Sequence, residues 1–516
     1  LSTAVSPDDA AVLPVSSILS SLVPKPTNTP LDLNRYIGEK DKTAMYPLPI
    51  NAVRECASAV GPGVPKAIAS AYNKLAFDLY KTHAETGKEN FVLATPDVLQ
   101  TLAMISAGAS GNTLDAALKD TRTGLDASLH LAMNAAVLDL AKRNQATRFE
   151  INSAIWGQGK SAVSNNSSYL FSSLFLNKIV RKYGARMATV DFTDTTTKTI
   201  SIIDSNRNFG TQLKELANPS IITAINQWIL GASKNDIKQI ISDLPERPRL
   251  VTANTVSLNG AWRIPPDATL SGKGRFQPFE GEPISTPMLG FTGKIPYTEG
   301  RNYRAFQLPL ADSDLALTVL MPNSGAFAKF NASLSIDKLN SIAAAMRPQQ
   351  KSVFLPKFKL GNDSSWSNVA AKLKASGAFD EGSADFSRLN GEGFLYLDGA
   401  DGHAVVSFGE SGLKASAASI ITQRADKVES RIVWDVTYGS GFYNGTFNGF
   451  STIKLCEDIP HYDPDLVQAR PFILAVRDLK SGSILFMGKV TNPGGKSMPP
   501  DWITSTCDVS PANIKP

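Results

Sequence analysis

Residues 410–427 contain no proline, and the first half of that stretch, Gly412-Leu-Lys-Ala-Ser-Ala-Ala-Ser419, is built almost entirely from small side chains. A proline would remove a ladder donor, and bulky groups would obstruct passage between two paired strands. The segment can therefore stand as a loop or join a sheet, which makes it a switch rather than a linker. An alternating run, His403-Ala-Val-Val-Ser-Phe408, precedes it, and Ile420-Ile-Thr-Gln-Arg-Ala-Asp-Lys427 follows. In a strand, alternate side chains face opposite sides. One face would receive Leu413, Ala415, Ala417, Ser419 and Ile421. The other would receive Lys414, Ser416, Ala418, Ile420 and Thr422. A one-residue slip would bury Lys414 under the sheet, so the register is self-consistent.

The periodicity along the rest of the chain changes character once. Residues 1–64 are rich in Ser, Pro and Ala and read as an extension. Helical spacing then dominates: Ala71, Leu75, Ala76 and Leu79 share one face, Thr95 or Asp97 is placed to cap a helix, and helices are expected over 170–183 and 221–241. Residues 149–157 alternate as a strand. From Leu250 to Val490 strands prevail, at 251–258, 315–321, 351–360, 403–408, 472–477 and 484–490. Helices first and strands later, without regular βαβ alternation, give an α+β class.

Bulk properties exclude several functions. The chain has 516 residues, and 52 basic against 47 acidic groups leave a net charge of +5. That is too mild a charge for a nucleic-acid partner. The local group Lys178, Arg181, Lys182 and Arg186 is a solvated helix face or a weak glycosaminoglycan site. No apolar run is long enough for a membrane span. Cys56, Cys456 and Cys507 lack metal-ligand spacing, so no metal and no cofactor is expected, and sequence cannot choose among three disulfide pairings. Sequons at Asn165, Asn166, Asn331, Asn362 and Asn444 favour a secreted, extracellular glycoprotein. The four histidines, the absence of a Gly-x-Ser-x-Gly elbow and the incomplete phosphate loop at Gly495-Lys-Ser argue against an enzyme.

Several segments, in order, resemble the serpin family of serine protease inhibitors. They include Asn73-Lys-Leu-Ala-Phe-Asp-Leu-Tyr80, Gly108-Ala-Ser-Gly-Asn-Thr113, Ile225-Asn-Gln-Trp-Ile229, Thr252-Ala-Asn-Thr-Val-Ser-Leu-Asn-Gly-Ala-Trp262 and Leu355-Pro-Lys-Phe-Lys-Leu360. The carboxy-terminal Arg470-Pro-Phe-Ile-Leu-Ala-Val-Arg-Asp478 and Gly482-Ser-Ile-Leu-Phe-Met-Gly-Lys-Val-Thr-Asn-Pro493 match closely. The resemblance implies three β-sheets, about nine helices and an exposed reactive-centre loop. It also implies one domain over 65–493, with the loop at about 410–430 and a tail over 494–516. A target protease would cut the loop and form an acyl-enzyme. The loop would then insert into the central sheet and carry the protease with it, a strain-releasing switch.

Within that resemblance, Gly412, Leu413, Ala415, Ala417 and Ala418 form the hinge. Family counting puts the reactive bond at Asp426–Lys427, with Lys427 as the cut residue in a loop one residue longer and Arg424 and Arg431 as trypsin-type alternatives. Trp262 would stand where the loop enters the sheet, and Asn254 and His403 would be a hydrogen-bonding pair beneath its centre. Ala94 and Asp97 occupy positions where serine is usual, and an aspartate near His403 would make sheet opening respond to pH. Leu413 replaces the usual Thr or Ser, an overpacking that would hinder the first step. Between Gly412 and Pro471 lie about 34 more residues than the family carries, an insertion at about 431–467 that reads as an aromatic hairpin. The implied function is inhibition of a serine or cysteine protease, with a non-inhibitory carrier, chaperone or structural component as the alternative.

Overall fold

The computed structural model describes residues 46–47, 54, 63–86, 89–111, 113, 129–158, 171–190, 192, 195–203, 209–217, 219–244, 248–362, 377–390, 395–424 and 469–494. Asp426, Lys427, the three cysteines, the insertion at 431–467 and nearly all of the leading extension lie outside them. The described helices are α1 (Gly63–Thr86), α2 (Thr95–Ser106), α3 (Leu129–Arg143), α4 (Ser173–Tyr183), α5 (Pro219–Ala232), α6 (Phe327–Ala332), α7 (Ile336–Ala345) and α8 (Ser387–Asn390). The helical stripe of α1 is real: Ala71, Leu75, Ala76 and Leu79 are all buried. Helix α2 begins one residue after Ala94 and has Pro in its first turn, without a side-chain cap. Thr95 instead donates to the Ile484 carbonyl, and Asp97 lies inside the helix.

The central sheet has seven strands in the order β1 (Tyr46–Pro47), β4 (Arg186–Val190), β3 (Glu150–Gln158), β7 (Pro248–Gly260), β15 (Gly412–Arg424), β14 (Tyr396–Gly409) and β13 (Phe358–Asn362). The second sheet runs β12 (Arg347–Pro356), β9 (Ile284–Gly300), β10 (Tyr303–Pro309), β11 (Leu315–Pro322), β16 (Phe472–Asp478), β17 (Ile484–Val490) and β2 (Phe91–Ala94), with β8 (Asp267–Phe276) paired to β9. A separate ribbon pairs β5 (Thr195–Ile203) with β6 (Phe209–Ala217). This is an α+β fold. The expected strand over 351–360 is two strands in different sheets, because the chain crosses from β12 to β13 at Lys357. The expected helix over 221–241 stops at Ala232, where Lys234 and Asn235 both take positive φ. A left-handed pair of non-glycine residues cannot continue an α-helix.

Three apolar clusters fill the space between these layers. One lies beneath the central sheet with α1 and α2, one joins the two sheets, and one lies between α5 and the sheet's opposite face. An ionic knot, buried at Asp478 and exposed at Asp139 and Asp314, ties the helical layer to the second sheet. At the end of α3, Arg143 contacts Asp478 at 2.8 Å, Asp314 at 2.6 Å and Asp139 at 2.8 Å. Burial alone would raise the Asp478 carboxyl, but hydrogen bonds from Arg143 and Ser481 outweigh it and hold the carboxyl below its ordinary range. A depressed carboxylate stabilises the fold above its unfolded pKa, about 3.9, and that contribution is lost as pH falls through the still lower folded value. Arg143→Ala leaves Asp478 buried without its cation, a loss of about 3 kcal/mol at neutral pH. Chemical denaturation from pH 7 down to pH 2 should show the wild-type advantage shrinking with acid and the variant lacking that part of the slope.

Candidate functional site

The flexible-looking segment at 412–424 is not an exposed loop in this structure. It is the fifth strand of the central sheet, antiparallel to both neighbours. It registers from Leu413 opposite Gly260 to Gln423 opposite Leu250 on β7, and from Gly412 opposite Gly409 to Arg424 opposite Tyr396 on β14. Both rows of ladder groups are therefore satisfied within the sheet. The two side-chain sets part as the alternation requires. Leu413, Ala415 and Ala417 pack into the cluster that joins the sheets, and Ile421 packs into the one with α1 and α2. Ala418 and Ile420 lie on the opposite face, under α5. Lys414 shares that second face and is only half-buried.

Leu413 is fully buried, in one cluster with Leu258, Trp262, Leu310, Phe358 and Phe408. In the inserted arrangement Leu413 stands opposite Gly260 on β7 and Phe408 on β14. Burying Leu413, Ile420 and Ile421 contributes about 6 kcal/mol at roughly 2 kcal/mol each. Gly412 is required by geometry. Its φ is +145°, and a Cβ there would sit 2.0 Å from the Gly260 carbonyl oxygen. Trp262 lies beside this end: its indole N–H donates to the Gly409 carbonyl at 2.9 Å, and its ring meets Phe408 with centroids 5.2 Å apart. Lys357 and Glu410 pair at 2.6 Å just outside it.

Beneath the middle of the sheet is a buried polar chain. Gln100 donates to Ser153, Ser153 donates to Asn254 at 2.5 Å, and Asn254 donates to the Thr101 hydroxyl at 2.7 Å. Thr101 also donates to the Asp97 carbonyl one turn earlier. Ser419 of the inserted strand completes the chain, donating to the Asp97 carboxylate at 2.8 Å and lying 2.7 Å from the Thr101 hydroxyl. Ser419 supplies the Asp97 carboxylate with a donor and meets Thr101, so the inserted strand is a structural part of this network.

The expected Asn254–His403 pair does not form. His403 stands opposite Ala418, on the sheet face away from Asn254 and Asp97, and the position opposite Ser419 on β14 is Gly402. The period-2 alternation is the reason: His403 is one residue out of phase with the polar chain. The proposed pH coupling between Asp97 and His403 falls with it. Sequence reading also passed over Gln100, Thr101, Ser153 and Asp236, which are isolated polar residues in apolar or loop stretches with no motif to mark them. The Asp236 carboxylate accepts from Ser416 at 2.6 Å on the opposite face.

The serpin family profile, described as serine protease inhibitor, matches residues 70–214 and 206–493. Leukocyte elastase inhibitor of Xenopus tropicalis is 26% identical over 68% of this chain and 88% of its own length. Human serpin B9 is 23% identical over 83% of this chain and 99% of its own. Among solved structures, a loop-inserted, cleaved ovalbumin mutant superposes with a TM-score of 0.63 at 15% identity, covering 83% of this chain and all of that one. The thermophilic serpin tengpin in its latent state gives 0.61 at 19% identity, over 85% of this chain and 100% of that one.

The geometry of the hinge end predicts two distinct outcomes. Gly412→Ala should prevent β15 from seating at all, since no backbone shift short of opening the β7 contact accommodates the added carbon. Leu413→Ala should still insert but lose about 3 kcal/mol of stability through the cavity it leaves. Thermal unfolding of loop-cut protein separates the two: one variant lacks the stabilised form, and the other shows it with a lowered midpoint. From the profile match over most of its length and the shared architecture, this chain belongs to the serpin family.

Proposed function

We propose that the protein is a secreted inhibitor that captures a serine or cysteine protease as an acyl-enzyme. The observation that carries this reading is the full-length, two-sided pairing of β15 in a register that buries small and apolar groups and keeps Lys414 toward the opposite face. In the proposed sequence, the protease nucleophile attacks the carbonyl carbon of a loop residue, the peptide nitrogen leaves with a proton, and an ester or thioester joins the chain to the protease. Release of the protease would need water to reach that acyl group before the loop zips into the sheet. Burial and two hydrogen-bonded edges favour insertion, so the protease is carried along and distorted before deacylation.

We assign the reactive bond to Asp426–Lys427, which follow Arg424 in sequence. Gly412, Leu413, Ala415, Ala417 and Ala418 act as the hinge, Trp262 guards the end where insertion starts, and Asn254 holds the polar chain that the strand must join. The relatives named leukocyte elastase inhibitor support a protease as partner. A weaker partner is a glycosaminoglycan at Lys178, Arg181, Lys182 and Arg186. A solved neighbour, cleaved kallistatin, is complexed with heparin and superposes with a TM-score of 0.59 at 18% identity.

The test is a panel of proteases of differing specificity. The reading expects a covalent adduct on a denaturing gel with at least one of them, and a released carboxy-terminal fragment whose mass identifies the cut bond. It also expects cut protein to unfold at least about 10 °C higher than intact loop-out protein. A large rise without any adduct supports the non-inhibitory alternative. No rise at all removes both the insertion and the inhibition built on it.

A further inference from the structure

The turn after α5 crosses over β7 and touches strands on both sides of it. Lys234 pairs with Glu150 of β3 at 2.8 Å, and Asp236 accepts from Ser416 of β15 at 2.6 Å. Glu150, Ser257 and Ser416 form one row across β3, β7 and β15, so the two contacts straddle β7 at a single level. The backbone that allows this is unusual: Lys234 and Asn235 are consecutive non-glycine residues at φ 58° and 68°. Such residues persist when surrounding contacts hold them, and they mark segments with a task. Here the amide of Asn235 is fixed to the Leu230 carbonyl at 2.8 Å, and Ser233 bonds both to Leu230 and to Ile237. The Ser233 carbonyl also lies within 3.4 Å of the Ser416 hydroxyl.

The same turn answers a charge problem. Lys414 is the sole charged residue between Gly412 and Gln423. On insertion it arrives in the row Lys359–Ser407–Lys414, two strands from Lys359 and on the same face, about 10 Å away. Burial depresses the Lys359 ammonium pKa. Lys238 and Lys414 repel that ammonium, while Asp236 attracts it. Asp236 is thus an acidic group close to Lys359, and its partner Ser416 shares a face of β15 with Lys414 two residues away.

We propose that this turn is a receiving site for the inserting strand, with Asp236 as its positioning residue. The carboxylate takes the Ser416 hydroxyl and offsets the charge that Lys414 carries into the sheet. The inference rests on the insertion reading and adds to it. In this chain the lysine at the hinge is tolerated because a matching carboxylate waits above the sheet. A charge-matched receiver of this kind makes the pairing of loop and sheet specific to its own sequence.

The test uses full-length protein, a nick in the loop by a protease of broad specificity, and the time course with which the heat-stable form appears. Asp236→Asn should slow that appearance about tenfold while intact protein unfolds as the wild type does. Lys414→Thr placed in the same chain should return the rate to within about twofold of wild type, a rescue that a merely structural aspartate does not permit. Ser416→Ala should slow insertion without being rescued by Lys414→Thr. If Asp236→Asn inserts at the wild-type rate, or if Lys414→Thr fails to restore it, the receiving site is wrong. If wild-type protein itself gains no heat stability after nicking, the insertion reading fails first and is recognised as such.

Discussion

Everything distinctive in this molecule depends on one strand that pairs with neighbours on both sides. β15 separates β7 from β14, and without it those two strands must either pair directly or leave their edges open. An unpaired edge between two long strands is costly, and so is a segment of apolar residues left in water. The sheet with β15 seated satisfies both demands at once. That is why the same thirteen residues favour the sheet strongly, and why their small side chains matter more than any single contact.

The polar residues around that strand give the insertion a fixed address. Ser419 meets Asp97 and Thr101 below the sheet, and Ser416 meets Asp236 above it. The two serines sit three positions apart and so face opposite ways, one into each layer. A register slip would turn both hydroxyls away from their acceptors and drive Lys414 into the apolar cluster around Phe408. Hydrophobic burial supplies most of the drive, while these hydrogen bonds exclude alternative registers. Gly412 and Trp262 finish the arrangement at one end, where no side chain at position 412 could pass the Gly260 carbonyl.

Much of this was readable from residues alone, for physical reasons. Strand period 2 in a short proline-free stretch predicts both faces of β15, and the structure follows that division residue by residue. The fold class follows from helices preceding strands, and the family from segments preserved in order. Phase errors of one residue were not readable. His403 looks like a partner for Asn254 in sequence, yet its strand places it on the other face. Long-range acceptors were equally hidden: Asp97 is 322 residues from Ser419, and Asp236 is 180 from Ser416. The start of α2 at Thr95 was readable but its cap was not, because Thr95 spends its hydroxyl on β17 rather than on a cap. At the stop of α5, Gly231 is a weak signal one residue before Ala232, and the left-handed turn itself is made by Lys234 and Asn235.

The most direct measurement is amide hydrogen exchange over residues 413–423, read by mass spectrometry before and after the loop is cut. With the strand seated, its amides should exchange as slowly as those of β7, since both donate within the same ladder. With the loop out, they should exchange at the rate of unstructured chain. Slow exchange that appears after cutting is the predicted result. Fast exchange over 413–423 in cut protein, alongside a protected β7, would contradict the account at its root.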